Sequence, residues 1–171
     1  MNNRIYPRLA WDGIRKNKRF YLPFILTCVG MVMMFYIIHH LAAMPALDSM
    51  SGGSSVKLIL GFGVWVIAVF AFVFLIYSNS FLMRRRQKEF GLYNILGMGK
   101  KNLSIVYIWE TVIVYVLSMF AGLVCGIGLS KLAELGLVHM LYGKVNYDFT
   151  ISTEAVSDTF MVFGIIFIIL L

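Results

Sequence analysis

Charge is what this sequence has least of. Of its 171 residues 13% are Asp, Glu, Lys or Arg and 60% are hydrophobic, whereas soluble domains carry roughly 25% charged residues. So little polar surface cannot cover a globule in water, and the long apolar runs read instead as membrane spans. Cysteine is almost missing too. Cys28 and Cys125 both lie inside apolar runs, which argues against a disulfide framework and for two buried thiols behaving as small hydrophobes. The sequence contains no G-x-x-x-x-G-K-[ST] phosphate loop, dinucleotide fingerprint, catalytic triad or metal-ligand cluster, so neither catalysis nor a cofactor is expected on this chain.

What is present is a series of apolar runs separated by short polar links. Residues 1–20 hold Arg4, Arg8, Arg15, Lys16, Lys18 and Arg19 against one acid, Asp12, with Leu9, Ala10, Trp11, Ile14 and Phe20 interleaved. That spacing predicts a basic amphipathic helix lying on the membrane surface. Nucleic-acid binding is the competing reading of such a cluster, and the span that follows directly speaks against it. The first span is residues 21–43, long enough to cross roughly 30 Å of hydrocarbon, with Pro23 expected in its first turn. Its length and its His39-His40 ending favour a retained anchor over a cleaved signal peptide. The two histidines read as interface residues rather than as a metal site. A Ser- and Gly-rich link follows, and then a second span, residues 58–83, which is longer than the bilayer core and must tilt or continue past the membrane.

The third span, residues 103–132, repeats small residues every four positions: Ser118, Gly122, Gly126 and Ser130. Such a stripe shares one helix face and lets another backbone approach closely. Glu110 lies near the start of this span, where an ionisable group is costly and is usually functional or paired. A proton relay would want a second intramembrane acid, so a structural or coupling contact to the polar loop is the simpler expectation. The helix is expected to continue to about Tyr142, before an alternating segment at residues 145–151. Ser152 or Thr153 can cap the fourth span, residues 155–171, with Glu154 complementing the helix dipole. That span is still apolar at Leu171, which predicts that the sequence is a piece of something longer. The fold class expected is therefore an all-α membrane protein: four transmembrane helices, an N-terminal interfacial helix and a short cytoplasmic coupling helix.

Twelve of the 15 Lys and Arg residues fall in two segments, six in residues 1–20 and six in residues 84–102. The positive-inside rule then places the N-terminus and both basic segments in the cytoplasm. The second segment, RRRQKEFGLYNILGMGKKN, carries more than a stop-transfer signal needs. Glu89, Tyr93 and Leu96 share one helical side with Phe90 close by, Gly91 permits close approach, and Gly97 and Gly99 suit a sharp return. Residue types alone leave two readings open: a short helix docking in a groove on a soluble partner, or a helical hairpin resting on lipid.

The run NSFLMRRRQKEFGLYNILGMGKKNL, with Glu110 and the Gly122/Gly126 stripe after it, resembles the FtsX-like permease family of ABC transporters, most closely the bacitracin-resistance (BceB-type) permeases. Arg84, Arg85, Arg86, Glu89, Gly91, Leu96, Gly97, Glu110, Gly122 and Gly126 match the family pattern. The departure is length, since such permeases have more spans and a large extracellular domain. The resemblance implies a bacterial plasma-membrane permease subunit that binds no cofactor itself and uses ATP through a separate ATPase. That ATPase would contact Arg85, Arg86, Glu89, Phe90, Gly91, Tyr93, Leu96 and Gly97. It further implies antimicrobial-peptide resistance or lipid-intermediate handling, with a sensor histidine kinase as a further partner. The rival reading is a small membrane scaffold or regulatory protein with no transport cycle.

Overall fold

The computed structural model describes residues 5–45, 47, 52–95, 99–140 and 152–171. They form five helices: α1 (Ile5–Lys16), α2 (Lys18–Ala42), α3 (Gly53–Ile95), α4 (Lys100–Met140) and α5 (Thr153–Leu170). The last four are long and apolar enough to cross a membrane, so the molecule is an all-α membrane protein.

α1 ends at Asn17, whose backbone (φ −102°, ψ 26°) leaves the helical region. Its carbonyl accepts from the amides of Phe20 and Tyr21, so α2 starts almost at once. Because α2 begins at Lys18, Pro23 sits one turn deeper than the sequence predicts. There it removes the amide that would bond the Arg19 carbonyl, while the Thr27 hydroxyl donates to the Pro23 carbonyl at 2.8 Å.

α3 runs unbroken for 43 residues. The expected short coupling helix is thus the far end of the second span, not a separate element. The reason is local: from Met83 to Asn94 the chain is mostly Arg, Gln, Lys, Glu and Leu, good helix formers without proline, and Gly91 alone costs only ~1 kcal/mol relative to Ala. At about 65 Å, α3 is roughly twice the thickness of a hydrocarbon core.

Ser152 caps α5. Its side chain accepts from the Ala155 amide at 3.3 Å, and Glu154 occupies the first turn. The segment expected at residues 145–151 lies outside the described residues.

α2 is the centre of the bundle, packed most broadly against α4 and then α3. The core draws on all four spanning helices: Cys28, Val32, Phe35 and Tyr36 from α2, Leu75 from α3, Met119 from α4 and Phe163 from α5. The small-residue positions of α4 lie along the α2 contact. A methyl on Gly122 would come 2.6 Å from Val32 Cγ1 and 3.1 Å from the Val29 carbonyl oxygen, and one on Gly126 would come 3.0 Å from Tyr36 Cδ1. Ser118 and Ser130 are buried, and the Ser130 hydroxyl donates to its own helix, at the Ile127 carbonyl. Cys28 is buried as expected, but Cys125 is exposed on α4. It falls one residue before Gly126, off the face that meets α2.

The apolar side of α1 is occupied by the protein itself. Tyr6 and Ala10 pack with Val106, and Ile14 joins the main core. Trp11 and the cations Arg8, Arg15 and Lys16 are left exposed. The helix is therefore docked on α4 through the face that an interfacial reading would assign to lipid.

Candidate functional site

Four helices converge on one buried charge pair. Arg86 of α3 forms a salt bridge with Glu110 of α4, and the two are 3% and 1% exposed. From α2, the Tyr21 hydroxyl donates to Glu110 Oε2 at 2.9 Å and accepts from Arg86 Nη1. The Arg86 guanidinium also lies 5.4 Å from the centroid of the Tyr21 ring, within cation–π range. α1 closes the site from the fourth side with Gly13. A methyl there would fall 2.8 Å from Glu110 Oε1 and 3.4 Å from Arg86 Nη2.

The helix periodicity explains why Arg86 points inward. Ala71, Leu75 and Leu82 are buried along α3, and Arg86 is the next member of that i, i+4 stripe. A lone charge at this depth would be driven out by its desolvation cost; a paired one, with an added hydroxyl, is retained.

A second polar layer lies next to the first. Asn79 donates to the Tyr107 hydroxyl at 3.0 Å and lies 3.4 Å from the Leu170 carbonyl oxygen, to which Tyr107 donates at 3.1 Å. This layer holds the end of α5 at the same end of the bundle as Arg86, as four antiparallel spans require. A third contact ties α1 to the start of α4: the Tyr6 hydroxyl donates to Asn102 Oδ1 at 3.2 Å. All three contacts tie helices together in the half of the bundle that leads to the end of α3 and the start of α4.

The other sequence candidates separate clearly. Arg85 is exposed, about 100° around α3 from Arg86, and its guanidinium lies over the rings of Phe20 and Phe81, 5.9 and 5.2 Å from their centroids. Gly91 is exposed. Glu89, Phe90 and Tyr93 lie on the last turns of α3, with side chains outside the described set; Leu96 and Gly97 lie outside the described residues. The sequence reading did not anticipate Tyr21 or Gly13. A glycine inside a helix costs ~1 kcal/mol relative to Ala, and that cost was the signal that Gly13 serves a close approach.

The far end of α2 holds a separate set of contacts. His39 Nε2 lies 3.0 Å from Asp158 Oδ2 on α5, and His40 Nε2 lies 3.8 Å from Glu134 Oε2 on α4. Lys131 reaches Glu134 at 3.1 Å. The pair expected at the interface thus pins α2 to α5 and to α4.

Apolar spans around a buried charged joint define a multi-pass helical membrane protein whose polar chemistry joins helices. Residues 61–171 match the FtsX-like permease C-terminal family, and the chain belongs to that family. Over 161 residues, 93% of the chain, it is 33% identical to YvcS of Bacillus subtilis (strain 168), described as an uncharacterized ABC transporter permease. Over 168 residues, 96% of the chain, it is 26% identical to the bacitracin export permease protein BceB of the same organism. It is also 32% identical over 124 residues, 72% of the chain, to the ABC transporter permease protein YxdM of that organism. The chain spans 25% of the length of the first two and 20% of the third.

Proposed function

We propose that this chain is the N-terminal membrane unit of an ABC transporter permease, and that the α3–α4 junction is where a separate ATPase subunit acts on it. The carrying observation is the Arg86–Glu110 pair, which fixes α3 to α4 just before the junction, with Tyr21 and Gly13 adding α2 and α1. In this reading the ATPase engages residues 88–102, including Glu89, Phe90, Gly91, Tyr93, Leu96 and Gly97; of the two arginines that the resemblance also placed at this contact, Arg86 is withheld by its burial in the charge pair and Arg85 is left outside it. Movement of that segment passes through the charge pair into the four-helix core, because a buried pair joins two helices more rigidly than lipid-exposed side chains can. ATP chemistry belongs to the partner, and the chain binds no cofactor.

The junction and the N-terminus face the cytoplasm in this scheme, on the strength of the Lys/Arg distribution. The bacitracin export permeases among the relatives make handling of an antimicrobial peptide, or of the lipid intermediate it targets, the substrate class to examine first. A sensor histidine kinase is a further partner to test. The decisive experiment is co-purification of the full-length permease with its candidate ATPase. Glu89→Lys and Leu96→Asp should each reduce the amount of ATPase recovered and the resistance conferred on cells. Wild-type recovery and resistance in both variants would remove the coupling role.

A further inference from the structure

Two adjacent arginines on α3 have opposite surroundings. Arg86 is inside the bundle, while Arg85 ends a stripe that faces outward from Ile59 onward: Ile59, Val66, Phe70, Phe74, Tyr77 and Phe81 are all exposed and recur at i+3, i+4 or i+7. From Ile59 to Phe81 the stripe is about 33 Å long, close to the roughly 30 Å of a bilayer's hydrocarbon. Arg85 lies one turn beyond it, so a bilayer whose hydrocarbon covers the stripe would have its phospholipid phosphates at the level of Arg85. Its guanidinium rests against Phe81 and, across the α2–α3 seam, Phe20.

We propose that Arg85, held by Phe20 and Phe81, is a seat for the phosphate of an anionic bilayer phospholipid. The ring contacts use the faces of the guanidinium and leave its N–H groups, which lie in the plane, directed away from the rings. That planar fork matches two phosphate oxygens. The rings also exclude water from the faces of a cation that is already weakly hydrated. Arg84, Lys18 and Arg19 are exposed nearby in sequence and raise the positive potential on this side of the seam, which favours an anionic lipid over a zwitterionic one. The stripe below Arg85 would lie along the acyl chains of the same lipid. The proposal requires only that α3 spans the bilayer and is independent of any transport cycle.

The test uses the full-length permease in bilayers of phosphatidylcholine with a minor share of phosphatidylglycerol. Spin-labelled versions of each lipid report their relative association with the protein. The wild type should prefer phosphatidylglycerol, and Arg85→Gln should lower that preference by about fivefold, the effect of one surface cation. Arg85→Lys should fall between the two, since it keeps the charge but loses the flat fork. The double variant Phe20→Leu, Phe81→Leu keeps the apolar volume and should also lower the preference, which provides a second route if Arg85→Gln folds poorly. Arg8→Gln, on α1 away from the seam, should leave the preference unchanged. Wild-type selectivity in Arg85→Gln would overturn the proposal, as would Arg85→Lys matching the wild type. Loss of ATPase association with lipid preference intact would place Arg85 against the ATPase and overturn it equally.

Discussion

The Tyr21 hydroxyl sits 2.9 Å from Glu110 Oε2 and joins the first turn of α2 to α4 beneath the Arg86 guanidinium. One phenol thus bridges both members of a buried ion pair, accepting from the cation and donating to the anion. Because neither charge can be removed without exposing the other to an apolar interior, the joint should respond asymmetrically to mutation.

Glu110→Gln leaves Arg86 buried without its counter-charge and should destabilise the protein by about 3–5 kcal/mol. Tyr21→Phe should cost less, about 1.5–3 kcal/mol, the range for a hydrogen bond to a charged group. Replacing both charges together, Arg86→Met with Glu110→Leu, should recover most of the loss and abolish any coupling role. Thermal unfolding in detergent measures all three. A Glu110→Gln protein that melts like the wild type would show that the pair contributes nothing to the fold.

Gly13→Ala is a test of sign. Helix propensity alone would make the substitution favourable by ~1 kcal/mol. The methyl, however, would meet Glu110 Oε1 at 2.8 Å, and overpacking of this kind typically costs about 1–3 kcal/mol. We expect net destabilisation, with faster hydrogen exchange confined to α1. Stabilisation would mean that α1 can shift away from the charge pair without loss.

Gly122 and Gly128 give a matched comparison on α4. A methyl on Gly122 would meet Val32 and the Val29 carbonyl, while one on Gly128 meets nothing within 4 Å. Gly122→Ala should therefore lower stability by about 1–3 kcal/mol, and Gly128→Ala should be neutral or raise it by up to ~1 kcal/mol. Val32→Ala in the Gly122→Ala background should restore part of the loss. Equal melting temperatures for the two alanine variants would contradict close packing at Gly122.

Orientation can be read from labelling in intact cells. A thiol introduced as Asn94→Cys, in a background with Cys28 and Cys125 replaced, should resist a membrane-impermeant maleimide until the cells are opened. A thiol introduced as Ser157→Cys, at the start of α5, should react at once. The reverse pattern would invert the topology on which the proposed ATPase contact depends.

Much of this architecture can be read from residue types, because hydrocarbon imposes strict rules on composition. Four apolar runs, the Ser152 cap and the small-residue positions of α4 each follow from a local physical requirement. Glu110 stands out through the energetic cost of an acid in a span, and that cost is met by a partner. The partner is harder to identify. Arg86 lies in a run of three arginines that together read as a soluble loop, and its inward position becomes visible only once α3 is carried past Met83. The i, i+4 stripe of Ala71, Leu75 and Leu82 then extends to it. Gly13 and Tyr21 depend on how α1 folds back over α4, a tertiary arrangement that no local pattern encodes. The same docking explains why the apolar side of α1 packs on protein when its composition alone suggests lipid.

The unbroken length of α3 also has a mechanical meaning. With 43 residues in one unbroken helix and no proline, it can act as a long rod. Pressure applied near Ile95 would not dissipate in a bend at the membrane surface but would tilt or slide the whole rod. The first elements obliged to follow would be α2, which lies along it, and α4, joined to it by the Arg86–Glu110 pair, so the choice between moving and staying still would be made for the entire bundle at once.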